Sequence, residues 1–445
     1  VTGAPSLDDR FAADMGRLLG PDFPTDIALA VSGGGDSMAM LALAHNWTRA
    51  WGVRLWVVTV DHGLRPESAV EAEMVAAECA LLGHPHAALR WHWDGQGNVM
   101  DAARRARLAL IDRWRGGLRH VLMAHTEDDV AETFLMRLAR GAGVDGLSAM
   151  APLRRVVPHA EVPPAVQDVC GVTPPGPWTP GYDIVRPLLT VRREELRHYA
   201  RVLLVPWVED PTNDDPAYVR ARMRHLLGAL SAEGLDAGTL AATARRMRRA
   251  RSALVARTAD LARAALRAPG GLPPGVLVFD RVALAASDAE TRLRLLSAAL
   301  RWVAGAEYGP RAAPLEALAE RLDAGGRGTL HGCEAEAMRE SLWVWRDGAA
   351  LRGTAIPAGA GLWDGRYRIE GEDLAGLEIR ALGEDGWAQI PRPARDGATV
   401  PMRVARAAPA LWDGTRLRAF APLDVGPRHV VVDTRPTFMQ LLLSD

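Results

Sequence analysis

The 445-residue chain contains no lysine; all 53 of its basic residues are arginine. That absence excludes a Schiff-base lysine, a lysine general base and the phosphate loop G-x-x-x-x-G-K-S/T. Any phosphate clamp must then be guanidinium or backbone N–H. Cysteine is scarce as well. Cys79, Cys170 and Cys333 lie far apart and make neither a C-x-x-C pair nor a disulfide framework. No apolar run reaches the roughly 18 residues of a membrane span. Residues 1–20 carry Asp8, Asp9 and Asp14 and lack the apolar core of a secretory signal. The expected location is the cytoplasm, without a membrane partner. A net charge of −1 gives the chain no overall basic field.

What is present is globular: 48% apolar and 24% charged residues, at a length suited to two or three domains. Over the first 150 residues, apolar β-rich runs (27–31, 55–60, 120–124, and more weakly 87–93) alternate with helical patterns (38–51, 67–82, 99–115, 128–140). This alternation predicts an α/β fold with a doubly wound parallel sheet, its ligands lying beyond the carboxyl ends of the strands. A Pro-rich stretch, 155–181, reads as a loop or insertion. Residues 217–266 are Ala/Leu/Arg-rich and helical. Further helices are expected at 288–304, with Ser287 as N-cap, and at 313–322. After Gly325 and Gly326 the period shifts toward two, as in a small α+β unit.

The strongest local signal runs from Ala28 to Leu41, where an apolar strand meets Ser32-Gly33-Gly34-Gly35-Asp36-Ser37 and a helix begins at once. Glycine lets backbone turn tightly beside a ligand, and a helix start aims unsatisfied N–H groups at it. The hydroxyls of Ser32 and Ser37 add donors, completing a nest for a polyanion. A second glycine pattern, Gly141-Ala-Gly143-Val-Asp-Gly146, spells G-x-G-x-x-G but follows a helix, so it reads as helix termination.

The first loop resembles S-G-G-x-D-S, the pyrophosphate (PP) loop of ATP pyrophosphatases, which release AMP and pyrophosphate. Four further patches follow in order: Val60-Asp61-His62-Gly63-Leu64-Arg65; Ala103-Arg104-Arg105-Ala106-Arg107; His125-Thr-Glu-Asp128-Asp129-Val-Ala-Glu132-Thr133; and Arg186-Pro-Leu-Leu189, which leads to Glu209-Asp-Pro-Thr-Asn213 and Arg220, Arg222 and Arg224. As an ordered set across residues 26–225 they are similar to the motifs of the tRNA(Ile)-lysidine synthetases. Leu108 departs from that pattern, standing where the family usually has tyrosine.

The resemblance implies an ATP-dependent C–N ligase acting on the wobble cytidine, position 34, of CAU-anticodon tRNA(Ile). Its substrates would be ATP, with Mg²⁺, and free L-lysine. It further implies a catalytic domain over 1–225 with its Pro-rich insertion, a mostly helical domain over 226–335 and a small α+β domain over 336–445. Both later domains are expected to bind tRNA; monomer and homodimer stay open. Ser32, Gly33, Gly34, Gly35, Asp36 and Ser37 would hold the pyrophosphate, Asp36 the metal, and Asp61 and His62 the adenosine. Arg104, with Arg107 and Arg186 as further candidates, would stabilise charge at phosphorus. Asp129 and Glu132, three apart on one helix face, offer paired carboxylates for an ammonium nucleophile. His125 is placed at a strand end against phosphate or base, and Asp128 is expected to cap the following helix. The run Arg245-Arg246-Met247-Arg248-Arg249-Ala250-Arg251 is the candidate tRNA-binding helix. A thiolase of the same class is disfavoured by the isolated cysteines.

Overall fold

The structure, a computed structural model, describes residues 4–63, 67–93, 95, 97, 99–156, 169–209, 215–371 and 373–444. Leu64, Arg65, residues 210–213 and Pro163 and Pro164 of the sequence reading lie outside them. The chain divides into two compact units, Val1–Arg251 and Ser252–Asp445.

The first unit opens with α1 (Leu7–Leu19), followed by β1 (Asp26–Ala30), α2 (Gly35–Trp51), β2 (Arg54–Asp61), α3 (Ser68–Leu82) and β3 (His86–Arg90). Next come α4 (Val99–Trp114), β4 (His120–Met123), α5 (Glu127–Leu138), the short α6 (Val144–Leu147), β5 (Leu153–Val156), β6 (Val169–Gly171) and β7 (Tyr182–Val185). It closes with α7 (Arg193–Val202), α8 (Val219–Ser231) and the long α9 (Ala237–Ala265), within which the two units divide. The sheet order is β5-β7-β4-β1-β2-β3-β6. The five inner strands are parallel, as expected, while β5 and β6 join antiparallel at the edges. Part of the Pro-rich stretch is therefore sheet. β6, within it, pairs with β3 and covers an edge that would otherwise present unpaired backbone.

Strand alternation sets the layers. Ile27 and Leu29 of β1 face a core with Met38, Leu41 and Leu43 of α2, while Ala28 faces Val58, Ile111 and Trp114 on the other side. Because β1 lies between β4 and β2, the chain reverses its direction of sheet growth between β1 and β4. Such a switch point opens a crevice at the carboxyl ends of the two strands. The glycine loop leaves β1 there, and His125 follows β4 there. Gly141, at φ +70°, follows α5 where the second glycine pattern was expected to end a helix.

The second unit carries a five-stranded antiparallel sheet: β8 (Leu266–Arg267), β9 (Leu277–Asp280), β10 (Arg327–Leu330), β11 (Cys333–Met338) and β12 (Ser341–Arg346) in the order β10-β11-β12-β9-β8. Helices α10 (Arg281–Ala285), α11 (Ala289–Ala304) and α12 (Ala312–Asp323) come between β9 and β10. The boundary expected at 335/336 falls inside β11, because strands on both sides of it complete one sheet. α11 is capped by Asp288, whose Oδ1 accepts from Thr291 N at 2.8 Å, and not by Ser287. A carboxylate one residue closer reaches the free N–H groups. His331 and Gly332, at φ 58° and 71°, form the two-residue turn between β10 and β11. Beyond β12, two smaller sheets surround a second core that holds Trp363, Trp412 and Phe420.

Candidate active site

The loop after β1 is shaped by its own hydroxyl. Ser37 Oγ donates to Gly34 O at 2.8 Å and receives Ser32 N at 3.2 Å, drawing the loop around the start of α2. Gly33 adopts φ +83°, which side-chain-bearing residues rarely do. Gly33 O accepts from Val208 N at 3.0 Å, so the segment after α7 is stitched to the loop. A Cβ at Gly35 would come within 3.4 Å of the Trp207 ring. Trp207 thus backs the loop, a role the sequence reading missed.

Asp36, in the first turn of α2, connects this loop to a cluster of charges. Its Oδ2 accepts from Arg193 Nε at 3.0 Å. The remaining nitrogens of Arg193 reach Glu132 Oε1 at 3.0 Å and Asp129 Oδ1 at 2.9 Å. Arg220 approaches the same pair, with Nε 2.6 Å from Glu132 Oε2 and Nη2 2.7 Å from Asp129 Oδ1. Arg224, one turn further along α8, adds Nε to Glu132 Oε1 at 3.0 Å. Asp129 and Glu132 therefore share one face of α5, as their spacing implied. Glu132 is fully buried (0% exposed). Burial works against its charge, but Arg220 and Arg193 hold its carboxyl below the usual glutamate range. Asp129 is likewise held low against burial by Arg220 and Arg193. Asp36 goes the other way: burial pushes its carboxyl up in spite of Arg193. Its Oδ1 is buried without a hydrogen-bond partner among the described residues.

Arg193 is the hub, and the sequence reading named no role for it. A usable signal existed. An arginine in the first turn of a helix sits at the positive end of the dipole and calls for a carboxylate partner. Of the three arginines noted near 220, Arg222 turns away to Pro216 O and Ala217 O. Asp128 does not cap α5. Thr126 is the N-cap and Asp129 closes the capping box, accepting from Thr126 N at 2.8 Å. Asp128 instead accepts from Arg193 N at 2.7 Å, capping α7 and fixing the hub's backbone.

His125 lies beside this cluster, its Nδ1 accepting from Arg186 Nε at 3.2 Å. Burial lowers its pKa to about 3, so the ring is neutral, an acceptor for Arg186. Burial also lowers Arg186, to about 10, which leaves it charged at neutral pH. His125 is therefore expected to make the protein acid-sensitive. A histidine with a depressed folded pKa contributes stability that is present above the unfolded value of 6.5 and lost as pH falls toward 3. The slope is at most about 1.4 kcal/mol per pH unit. Urea midpoints measured from pH 7 to pH 5 should fall, and fall less in His125→Gln; equal slopes would exclude this residue as a source. His86, lowered by burial to about 4, adds to the same loss.

The other expected residues divide. Asp61 stabilises the turn after β2: Oδ1 accepts from Gly63 N at 2.8 Å and Ser68 Oγ at 2.6 Å, and Oδ2 pairs with Arg90. His62 packs edge-on to Trp91 at 5.9 Å, its Nδ1 buried and unpartnered among the described residues. Arg104 is exposed on α4. Arg107 is more enclosed, its Nε buried without a hydrogen-bond partner among the described residues, and burial and Arg104 lower its pKa. Leu108 packs against the core of Ile111, Trp114 and Tyr182, which gives an apolar residue there a structural reason.

Residues 7–230 match the family model of the PP-loop domain. The tRNA(Ile)-lysidine synthase of Ruegeria pomeroyi is 40% identical over 403 residues, covering 90% of this chain and 89% of that protein. The chain belongs to the tRNA(Ile)-lysidine synthase family. The synthase of Bradyrhizobium sp. strain BTAi1 is 42% identical over 339 residues, 73% of this chain and 87% of that one. A solved structure, the U34-tRNA thiolase NcsA from Methanococcus maripaludis with its 4Fe-4S cluster, aligns at a TM-score of 0.39 and 16% identity, covering 54% of this chain and 78% of that chain. At that score the likeness carries no weight. All three cysteines are free: Cys79 and Cys333 are buried, with thiols pushed up to about 12, and Cys170 is exposed. As a lysidine synthase family member the chain is an ATP-using ligase with an intact loop at the switch point of its sheet. No helix among the described residues is long and apolar enough to cross a membrane.

Proposed function

We propose that this protein joins free L-lysine to C2 of the wobble cytidine of CAU-anticodon tRNA(Ile), in the cytoplasm, at the expense of ATP. The observation that carries this reading is the Asp129–Glu132 carboxylate pair, linked to the phosphate loop through Arg193. The cytosine O2 attacks the α-phosphorus, the α–β bond breaks and pyrophosphate leaves. The lysine ε-amine then attacks C2, the bond from C2 to O2 breaks, and AMP departs as the amine loses its proton. The loop N–H groups and the Ser32 hydroxyl hold the leaving pyrophosphate, while Ser37, whose hydroxyl donates to Gly34 O, keeps the loop in shape. Arg186, buried against His125, and the enclosed Arg107 offset charge at phosphorus, with exposed Arg104 on the same helix as Arg107. Asp129 and Glu132 bind the ammonium and take its proton. His62 meets the adenosine through its unpartnered nitrogen, while Asp61 shapes the turn that carries it.

Mg²⁺ fits this donor set. Asp36 keeps one buried carboxylate oxygen without a partner among the described residues, and Mg²⁺ takes one or two carboxylates and completes its shell with phosphate oxygens and water. When bound it would neutralise charge on the phosphates.

The direct test is incubation with CAU-anticodon tRNA(Ile), ATP, Mg²⁺ and radiolabelled lysine. ATP-dependent, acid-precipitable label that vanishes with a position-34 mutant tRNA is the expected result. Pyrophosphate release without label would send the search to another nucleophile.

The arginine run on α9 contributes to tRNA binding through only part of its length. Arg245 pairs with Glu127 at 3.1 Å and Arg248 donates to Met150 O at 3.2 Å, so both fasten the helix to its own unit. Arg246 and Arg249 are exposed. Replacing these two with glutamine should weaken tRNA binding and reduce the salt slope by about 1–2 units. An unchanged slope would make α9 a solvated face.

A further inference from the structure

The carboxylates assigned above to the ammonium are already satisfied by the chain's own arginines. Arg193 and Arg220 both place Nη2 on a single oxygen, Asp129 Oδ1, at 2.9 and 2.7 Å. Glu132 accepts from Arg193, Arg220 and Arg224. Asp36, Asp129 and Glu132 thus face three guanidiniums, and an incoming ammonium meets no net negative charge. For an amine to bind, one guanidinium has to leave.

The three are not equally held. The Arg193 side chain is 15% exposed, contacts all three carboxylates and has its backbone pinned by Asp128. Arg224 is 27% exposed and makes one contact in the cluster; Arg220 is 48% exposed. Arg220 is also the second residue of α8, a helix whose first turn has no acidic residue and whose N-cap, Tyr218, makes no side-chain cap bond. A cation there is opposed by burial, by the helix dipole and, on the shared oxygen, by Arg193, so that Asp129 and Glu132 are what keep its charge favoured. Arg220 is therefore the guanidinium that a competing anion removes most readily. Such an anion is what the glycine loop is built to hold, and Arg193 spans from Asp36 beside that loop to Asp129 Oδ1, the oxygen that Arg220 shares.

We propose that Arg220 stands in for the substrate amine on Asp129 and Glu132 and is drawn away by bound polyphosphate, so that lysine binds only after ATP. The inference rests on the reading of Asp129 and Glu132 as the amine subsite. Arg220 is in this account a positioning residue that acts through the carboxylates. Its exchange keeps the nucleophile out until the electrophile can be made.

Calorimetric titration of lysine into the full chain tests it, with and without Mg²⁺ and α,β-methylene-ATP, an analogue that cannot be cleaved at the reacting bond. The wild-type protein should bind lysine at least about tenfold more tightly with the analogue, within the usual range of coupling between sites. Arg220→Gln should lose most of that dependence by gaining affinity in the analogue's absence, a change that structural damage would not produce. Equal lysine affinity with and without the analogue in the wild type overturns the proposal, and so does a nucleotide dependence undiminished in Arg220→Gln. If the variant does not fold, the wild-type pair of titrations decides alone. Undiminished lysine binding by both Asp129→Asn and Glu132→Gln would overturn the amine subsite itself. Loss of binding in those variants, with no nucleotide dependence in the wild type, would overturn only the order.

Discussion

Glu132→Ala is expected to destabilise the first unit by about 3–5 kcal/mol, the usual cost of breaking a buried ion pair from one side. The side chain is fully buried and receives three guanidiniums, so its removal takes a carboxylate away from Arg193, Arg220 and Arg224 at once. Each of those guanidiniums then lacks an acceptor it uses in the folded protein, and alanine offers none in its place. Lysidine formation should be abolished at the same time, because the amine loses one of its two carboxylates. The informative control is Arg220→Gln. That side chain is half exposed, and Arg193 and Arg224 still pair with Glu132 without it, so its loss should cost clearly less than that of Glu132. Urea unfolding of the two variants beside wild type measures the contrast. A Glu132→Ala protein within about 1 kcal/mol of wild type would mean that solvent screens the cluster far more than its burial implies.

Asp36→Asn is expected to separate activity from stability. Burial raises the Asp36 carboxyl above its ordinary value, so at neutral pH the fold carries a charge it disfavours. The sign follows directly. A carboxyl with a raised folded pKa favours the folded state while protonated, and that contribution is lost as pH rises through the folded value. Asparagine removes the charge and keeps an oxygen to accept from Arg193 Nε. The variant should then be at least as stable as wild type, and by about 1 kcal/mol more stable if it behaves like other relieved functional sites. ATP-dependent turnover should fall by about a thousandfold or more, since the oxygen offered to metal and phosphate is lost at the step where charge develops. Affinity for tRNA should stay near wild type. Near-normal turnover would move the metal elsewhere, and a marked loss of stability would show that the Asp36–Arg193 pair holds the fold together.

The fold was legible early in the chain because two periods repeat there cleanly. Ile27, Ala28 and Leu29 read as a buried strand, and the glycines after them fit no context but a strand-to-helix turn at a ligand. The edges were less legible. β6 is three residues inside a Pro-rich stretch, where pairing with β3 overrides weak local propensity. The boundary at 335/336 failed for a related reason. Alternation identified the strands after 325, but it could not say that β12 pairs with β9, more than sixty residues earlier, as Ser341 does with Asp280.

The sequence by itself determined which chemistry is available. With no lysine, every cationic contact in the site is arginine, and the ordered motifs determine the loop, the carboxylates and the family. Spacing of three was enough to put Asp129 and Glu132 on one helix face, since that follows from the helical repeat alone. Tertiary structure decided the partners. Arg193 meets Asp36 across 157 positions and Arg220 meets Glu132 across 88, contacts that no local period encodes. It also decided which ionisable groups keep their charge: burial raises Asp36, arginines lower Glu132, and His125 stays neutral. Charge state depends on what surrounds a group in space, and only the packed sheet and its helices supply that.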